Sequence, residues 1–300
     1  MGARARKIGI FVHPRWEAAR ALGQELEQSL RRRVPEVWLT TAWDARASQL
    51  IPGTDLLVCV GGDGTLLWAA RSVVPHRVPI VGINMGRVGF LAEIPPEEAM
   101  GHLDRLLDGE GRMEERALLE ARAPDGALYH GLNDVVVGRA RLGRPVYVQV
   151  ALDGEPVALY RADAVVVATA TGSTAYSLSA GGPILHPEAR EIVLTPVSPH
   201  LASGRSLVLH PDSVLSLTVR GENQAFLSVD GQEDVPLPPG NTVTVRRSHH
   251  VACLLRLSPP QRDFLFLASR LGWHPSQNEP DRFLSPTPEP RAQEEPCDRP

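Results

Sequence analysis

The sequence predicts an α/β half followed by a β-rich half: a Rossmann-like parallel sheet over residues 1–109 and a β-rich, sandwich-like unit over 110–262. Three observations carry this. Short unbroken apolar runs alternate with stretches of helical periodicity as far as Leu107. After Gly109 the apolar spacing changes from three or four residues to two. Turn pairs such as Asp125-Gly126 and Asp153-Gly154 then separate the alternating stretches, as two-residue hairpins prefer.

In order, Ile8, Gly9, Ile10, Phe11 and Val12 form a first strand, and Ala19, Leu22, Leu26 and Leu30 mark one face of a helix. Further strands are predicted at 37–39, 55–60 and 78–83, with helical patterns between them, and Pro95-Pro96 opens a helix running to Leu107. In the second half 117–123, 129–137, 146–152, 157–160, 164–168, 214–219, 225–229 and 242–245 read as strands. No low-complexity linker marks the boundary near residue 110, so the two domains are expected to share an interface. The apolar segment 263–274 is expected to pack back on the first domain. The tail 275–300, dominated by Pro, Glu, Ser and Gln, is expected to stay disordered.

Composition narrows the function. With 43% hydrophobic and 22% charged residues over 300 positions, the chain is long enough for two cores. A net charge of −4 gives no basic field for nucleic acid, and no segment approaches a membrane span. Cys59, Cys253 and Cys297 are too scattered for a disulfide framework or a zinc site, which fits a reducing cytoplasm. His249-His250 lacks the spacing of a helical metal site, and no set of metal-ligating side chains is expected.

Two stretches carry chemistry. Leu56, Leu57, Val58, Cys59 and Val60 read as a strand buried on both faces, and they run into Gly61, Gly62, Asp63, Gly64 and Thr65. The glycines are expected to permit positive φ and expose bare N–H groups, and a helix is expected to start near Thr65 with Leu66, Leu67 and Ala70 inward. A glycine turn at a helix N-terminus is an anion site, so Gly61, Gly62, Gly64 and Thr65 form a candidate phosphate-donor loop. Asp63 is a carboxylate among donors: it can accept a proton from an attacking hydroxyl or help hold magnesium, or it is simply an N-cap. The second stretch is the hydroxyl-rich turn Thr169, Thr171, Gly172, Ser173 and Thr174, leading into a short helix through Ser179, which suits a ribose, an adenine edge or a phosphate, or is a Ser/Thr cap. Upstream, Asn133-Asp134 interrupts an apolar strand and suits a sugar diol, the alternative being a bulge or a strand start. Arg161 and Asp163 are read as one face of one strand, a donor and an acceptor side by side or a surface ion pair, and Gln232 follows the Asp230-Gly231 turn.

With these residues in view, the chain resembles the NAD kinases of the bacterial ATP- or polyphosphate-dependent type over roughly residues 8–273. The resemblance rests on the Gly-Gly-Asp-Gly-Thr run at 61–65, on Asn84-Met85-Gly86 with Gly89-Phe90-Leu91, on Asn133-Asp134, and above all on the run from Thr171 to Pro183. It implies phosphorylation of the 2′-hydroxyl of the adenosine ribose of NAD to give NADP, with ATP or polyphosphate as donor and a divalent cation, magnesium, as cofactor. It implies that Asp63 is the catalytic proton acceptor with Gly64 beside it. Asn133, Asp134, Arg144, Arg161, Asp163, Thr171, Thr174, Ala175, Tyr176, Ser177, Leu178, Ser179 and Gln232 are implied to bind NAD. It further implies a homodimer or homotetramer in which a neighbour can complete the NAD site. Departures are Trp68, where relatives often carry a basic residue, Ala170 for a common proline, Asp134 for Glu, and Ala162 and Ala164 for glycines. The first run is shared with diacylglycerol-type lipid kinases, so a lipid kinase and a non-catalytic NAD-binding regulator are the competing readings.

Overall fold

The computed structural model describes residues 4–44, 46–86, 89–200 and 204–259; the predicted closing segment at 263–274 and the tail at 275–300 lie outside the described residues. The first half runs β1 (Lys7–Val12), α1 (Glu17–Leu30), β2 (Glu36–Thr41), α2 (Ala47–Leu50), β3 (Leu56–Gly61), α3 (Asp63–Ser72), β4 (Pro79–Asn84) and α4 (Leu103–Leu107). Its strands lie parallel in the order β2-β1-β3-β4. The unbroken apolar run of β3 has a simple cause. Leu57 and Cys59 face one side with Phe11 and Ile80, where Leu66 and Ala70 of α3 pack. Val58 and Val60 face the other with Ile8 and Ile10, against Leu26 of α1 and Leu103 of α4. Both faces are covered, so no position in β3 can be polar.

The second half runs β5 (Arg112–Arg122), β6 (Leu128–Gly131), β7 (Asp134–Arg139), β8 (Val146–Leu152), β9 (Glu155–Ala162), β10 (Ala164–Ala168), α5 (Tyr176–Ser179), β11 (Ile192–Val197), β12 (Leu207–Leu209), β13 (Val214–Arg220), β14 (Ala225–Val229), β15 (Glu233–Leu237) and β16 (Thr242–Arg256). A six-stranded antiparallel sheet, β12-β11-β10-β7-β14-β15, packs Val135, Val137, Val165, Val167 and Leu227 against Val148, Leu215, Leu217 and Val243 of a second sheet. That second sheet is continuous with the parallel one. β16 pairs antiparallel with β13 and β5, then runs parallel beside β4 at Cys253 and Leu254, which makes one ten-stranded sheet. Backbone hydrogen bonding thus fastens the two halves. Among the described residues no helix is long and apolar enough to cross a membrane.

Several expectations change. The helix predicted from Pro95 to Leu107 is two single 3₁₀ turns, Pro96–Glu98 and Met100–His102, before α4; Gly101 sits where the helix would have to continue, and glycine there has the least to gain from it. The strand predicted at 129–137 breaks at Leu132-Asn133 into β6 and β7. Arg161 and Asp163 do not share a strand: Arg161 is the last residue but one of β9 in one sheet, and the chain crosses at Asp163 into β10 of the other. The backbone N–H of Asp163 donates to Val197 O and its carbonyl accepts from Arg139, which fixes the crossing. β16 extends well past Val245 to Arg256, β5 starts at Arg112, and β11, β12 and β15 were not predicted.

Candidate active site

α3 begins at Asp63, two residues earlier than predicted, with Gly62 as N-cap. Gly61, Gly62 and Gly64 all keep negative or extended φ, so the expected left-handed backbone is absent there. Only Gly61 is needed for space. A Cβ on Gly61 would lie 2.2 Å from Thr65 Oγ1, whereas one on Gly64 would enter open space. The first-turn N–H groups therefore face outward at the positive end of the helix, an anion-binding geometry.

Asp63 is no N-cap, since its carboxylate reaches across to the loop after β4. Oδ2 accepts the Phe90 N–H at 2.8 Å, and Oδ1 accepts Leu91 N–H at 3.1 Å and Ala92 N–H at 3.4 Å. A Cβ on Gly89 would fall 2.1 Å from Asp63 Oδ1, so only glycine fits against the carboxylate. Three donors leave at least one carboxylate lone pair free for a further proton.

The β-rich half supplies a cleft of about 520 Å³ on the outer face of the six-stranded sheet. Its floor alternates with the sandwich core: Asp134, Val136 and Gly138 of β7, Ala164 of β10 and Ser228 of β14 face it. Asp230, at φ 51°, accepts N–H bonds from Leu132 at 2.8 Å, Asn133 at 2.7 Å and Asp134 at 3.0 Å. This carboxylate is what breaks the predicted strand, because the three donors turn toward it instead of toward a neighbouring strand. Burial raises the Asp230 pKa, outweighing those hydrogen bonds. Burial and the adjacent Asp230 push Asp134 up to about 7.

The Thr/Ser turn closes over the Asn133 end of this cleft. Thr169 N–H donates to Asn133 O, and a Cβ on Gly172 would sit 1.9 Å from that same oxygen. Gly172→Ala is expected to destabilise the fold by about 1–3 kcal/mol, because the turn and the Asn133 backbone must separate. Thermal melts check this. The turn Asp230-Gly231-Gln232 then joins the halves: Gln232 Nε2 donates to Gly64 O at 3.4 Å, which brings the cleft beside the glycine loop.

Of the residues singled out in the sequence, Asn133, Asp134, Asp163, Ala175 and Tyr176 line the cleft. The hydroxyls expected to face a ligand largely hold the turn itself. Thr171 Oγ1 accepts from Arg116, Thr174 Oγ1 donates to Thr171 O, Ser177 Oγ pairs with Thr195 Oγ1, and Ser179 Oγ donates to Ala175 O. Leu178 is half-buried beside them. Arg144 lies elsewhere, in a hollow of about 230 Å³ with Glu222 and Asn223. Arg161 is not in the cleft lining, and its Nε is buried without a hydrogen-bond partner. Sequence reasoning missed Arg139, whose guanidinium pairs with Asp163 at 2.6 Å, and the acceptor role of Asp230. Their partners are remote in sequence, so no local pattern could have exposed them.

A buried ionic chain also links the two regions. Arg116 donates to Thr171 Oγ1 at 3.2 Å and pairs with Glu114; Glu114 accepts from Arg256 at 3.3 Å; and Arg256 Nη1 donates to Leu91 O at 2.5 Å. Leu91 is one of the residues whose N–H binds Asp63. Arg112 adds a further contact to Glu114 at 3.0 Å.

Both halves of the chain are similar to known proteins. Residues 17–111 match the family model of the ATP-NAD kinase N-terminal domain, and residues 132–257 match that of the ATP-NAD kinase C-terminal domain. The NAD kinase of Dehalococcoides mccartyi strain BAV1 is 38% identical over 272 residues, covering 89% of this chain and 96% of that protein. That of Chloroflexus aurantiacus strain J-10-fl is 38% identical over 270 residues, covering 88% and 98%. Among solved structures, an NAD kinase from Archaeoglobus fulgidus in complex with ATP superposes with a TM-score of 0.74 at 26% identity, covering 89% of this chain and 99% of that one. Yeast NADH kinase complexed with NADH gives 0.75 at 24% identity, covering 90% and 89%, a likeness of fold. Relatives matching both halves under one name remove the lipid-kinase reading, which rested on the glycine run alone. The chain belongs to the NAD kinase family.

Proposed function

We propose that the chain transfers a phosphoryl group from ATP or polyphosphate to the 2′-hydroxyl of the adenosine ribose of NAD, with Asp63 accepting the hydroxyl proton. The observation that supports this best is the contact of Gln232 with Gly64, which sets the Asp134 cleft against the Asp63 loop. NAD lies in the cleft, with a ribose diol donating to Asp134 and its adenosine end directed toward Gly64. The donor's terminal phosphate rests on the α3 N-terminus, where outward N–H groups offset its charge. Asp63 then holds a free lone pair for the proton as the nucleophile commits.

Magnesium fits this site as a companion of the donor. It often keeps several waters and binds chiefly through substrate phosphates, so the donor would carry it at the loop and the free Asp63 lone pair would stay available for the proton. Such an ion neutralises charge on the transferred group. Among the described residues no group of three His, Cys, Asp or Glu side chains could cage it alone. Arg144, on an exposed loop outside the cleft, serves the NAD site of a neighbouring copy in a homodimer or homotetramer. Wild-type protein incubated with NAD and either ATP or polyphosphate should form NADP; failure with both donors in magnesium would refute the proposal.

The raised Asp134 gives a pH signature. In the free protein its contribution to stability is present at low pH and lost as pH rises from its ordinary 3.8 through about 7. A ribose hydroxyl donates best to the ionised carboxylate, so ligand binding has the opposite sign. Between pH 6 and pH 8 the Kd for NAD should fall about tenfold, the ratio of ionised fractions on either side of such a pKa. Asp134→Asn should flatten that dependence; calorimetric titrations across the range check it.

A further inference from the structure

An aromatic cluster occupies the carboxyl edge of the parallel sheet beside the glycine loop. His13 directly follows β1, Trp43 lies just past β2, and Trp68 is on α3. The His13 and Trp16 rings stack with centroids 4.1 Å apart at 24°. Trp43 meets His13 edge-on at 5.2 Å and 88°, and its ring is 6.2 Å from that of Trp68. Trp16 lies over the glycine turns: a Cβ on Gly62 would be 3.6 Å from its ring, and one on Gly86 3.3 Å. The Arg71 guanidinium sits 4.0 Å from the Trp68 ring centroid.

Core packing does not account for this group. Trp68 packs partly into the α3 face, but His13, Trp16 and Trp43 belong to neither core of the parallel sheet. Trp16 and Trp43 remain 38% and 39% exposed. Trp43 also holds a left-handed backbone, φ 69°, a conformation a bulky side chain adopts at a cost. Trp68 Nε1 is buried with no hydrogen-bond partner in the protein. The chain therefore keeps two large, open rings, Trp16 against the loop that takes the phosphates and Trp43, on a strained backbone, reaching it through His13.

The geometry points to a base-stacking platform: Trp16 and Trp43 hold the purine base of a nucleoside triphosphate donor whose phosphates lie on the Gly62–Gly64 amides. This rests on the proposed phosphoryl transfer and adds which donor class the chain is built for. The donor base enters over β1 and β2, while the acceptor comes from the β-rich cleft on the other side of Gly64. Both substrates then fit without competing for one surface. An inorganic polyphosphate has no base and gains nothing from the platform.

The test compares Trp43→Ala, Trp43→Phe and Trp16→Ala with wild type, using ATP and inorganic tripolyphosphate. Each alanine variant should raise KM for ATP about tenfold, the size of one base–aromatic stack. KM for NAD, and the constant for tripolyphosphate as donor or as competitive inhibitor of ATP, should stay within about twofold on the same reasoning. Trp43→Phe should recover most of the ATP affinity. Intrinsic tryptophan fluorescence should be quenched by ATP, much less by tripolyphosphate, and the ATP quench should fall in the alanine variants. An unchanged KM for ATP, or equal losses for ATP and tripolyphosphate, overturns the platform. If wild type makes no NADP from any donor, the functional reading falls, and the fluorescence comparison still decides whether ATP is held by its base.

Discussion

Asp63→Asn should lower turnover of NAD to NADP by about 10²- to 10⁴-fold, the range of a positioned acid–base group, with little change in NAD affinity. The structure separates the two quantities. The cleft proposed for NAD is lined by β7, β10 and β14 and by the turn at Asp230, none of which touches the Asp63 carboxylate. The substitution also has a structural cost. An amide keeps one acceptor oxygen for Leu91 and Ala92 but presents N–H₂ to the Phe90 N–H, which loses its acceptor. Loss of one part-buried hydrogen bond costs about 0.5–1.5 kcal/mol, so a modest fall in Tm should accompany the kinetic loss. A variant with normal NAD binding, a slightly lowered Tm and near-normal kcat would remove Asp63 from the chemistry and leave it as the anchor of the 89–92 loop.

How much of this was legible in the sequence follows from how local each cause is. β1, β3 and β10 are short apolar runs bounded by turns, and their cause lies within each run. The glycines at 61, 62 and 64 mark the loop although not through positive φ: Gly61 is required by the closeness of Thr65, while Gly62 and Gly64 leave the helix start open. β5 begins at Arg112, before the predicted 117: residues 112–116 are mostly charged, yet in the fold Glu114 and Arg116 are buried, compensated by Arg256 from β16. β11 was missed where Thr195 and Pro196 interrupt its apolar run, yet Thr195 pairs with buried Ser177 and Pro196 sits opposite Val165. The break at Leu132-Asn133 needs a carboxylate 97 positions away from Asn133. Asn133 and Asp134 announced a polar need at that point without naming the group that meets it.

The charged stretch carries the second large effect. Glu114→Gln should destabilise the fold by about 3–5 kcal/mol, because Arg116 and Arg256 would lose the carboxylate they share in a buried site, while Arg112 keeps its pairing with Glu188. For a chain of this size that corresponds to a fall in Tm of roughly 6–20 °C. Acid should unmask the same group in wild type. Burial alone would raise the Glu114 pKa, but the guanidinium groups of Arg116, Arg256 and Arg112 more than reverse this and hold it below its ordinary 4.5. Its contribution is therefore complete above pH 4.5 and is lost as pH falls through the depressed value. Glu114→Gln, having no such proton to take up, should show a shallower loss of stability in that acid range, measured by denaturant unfolding at a series of pH values. Kinetics separates a strut from a mere filler: with Arg116 held to Thr171 and Arg256 to Leu91, loss of Glu114 should raise KM for NAD and lower kcat together, at a temperature where the variant is fully folded. The paired change Glu114→Leu with Arg116→Met should recover part of the Tm, since no charge pair remains to be satisfied between them, but not the kinetics, because Thr171 loses its guanidinium donor. Full kinetic recovery in that double variant would mean that the ionic chain only fills space between the loop and the turn.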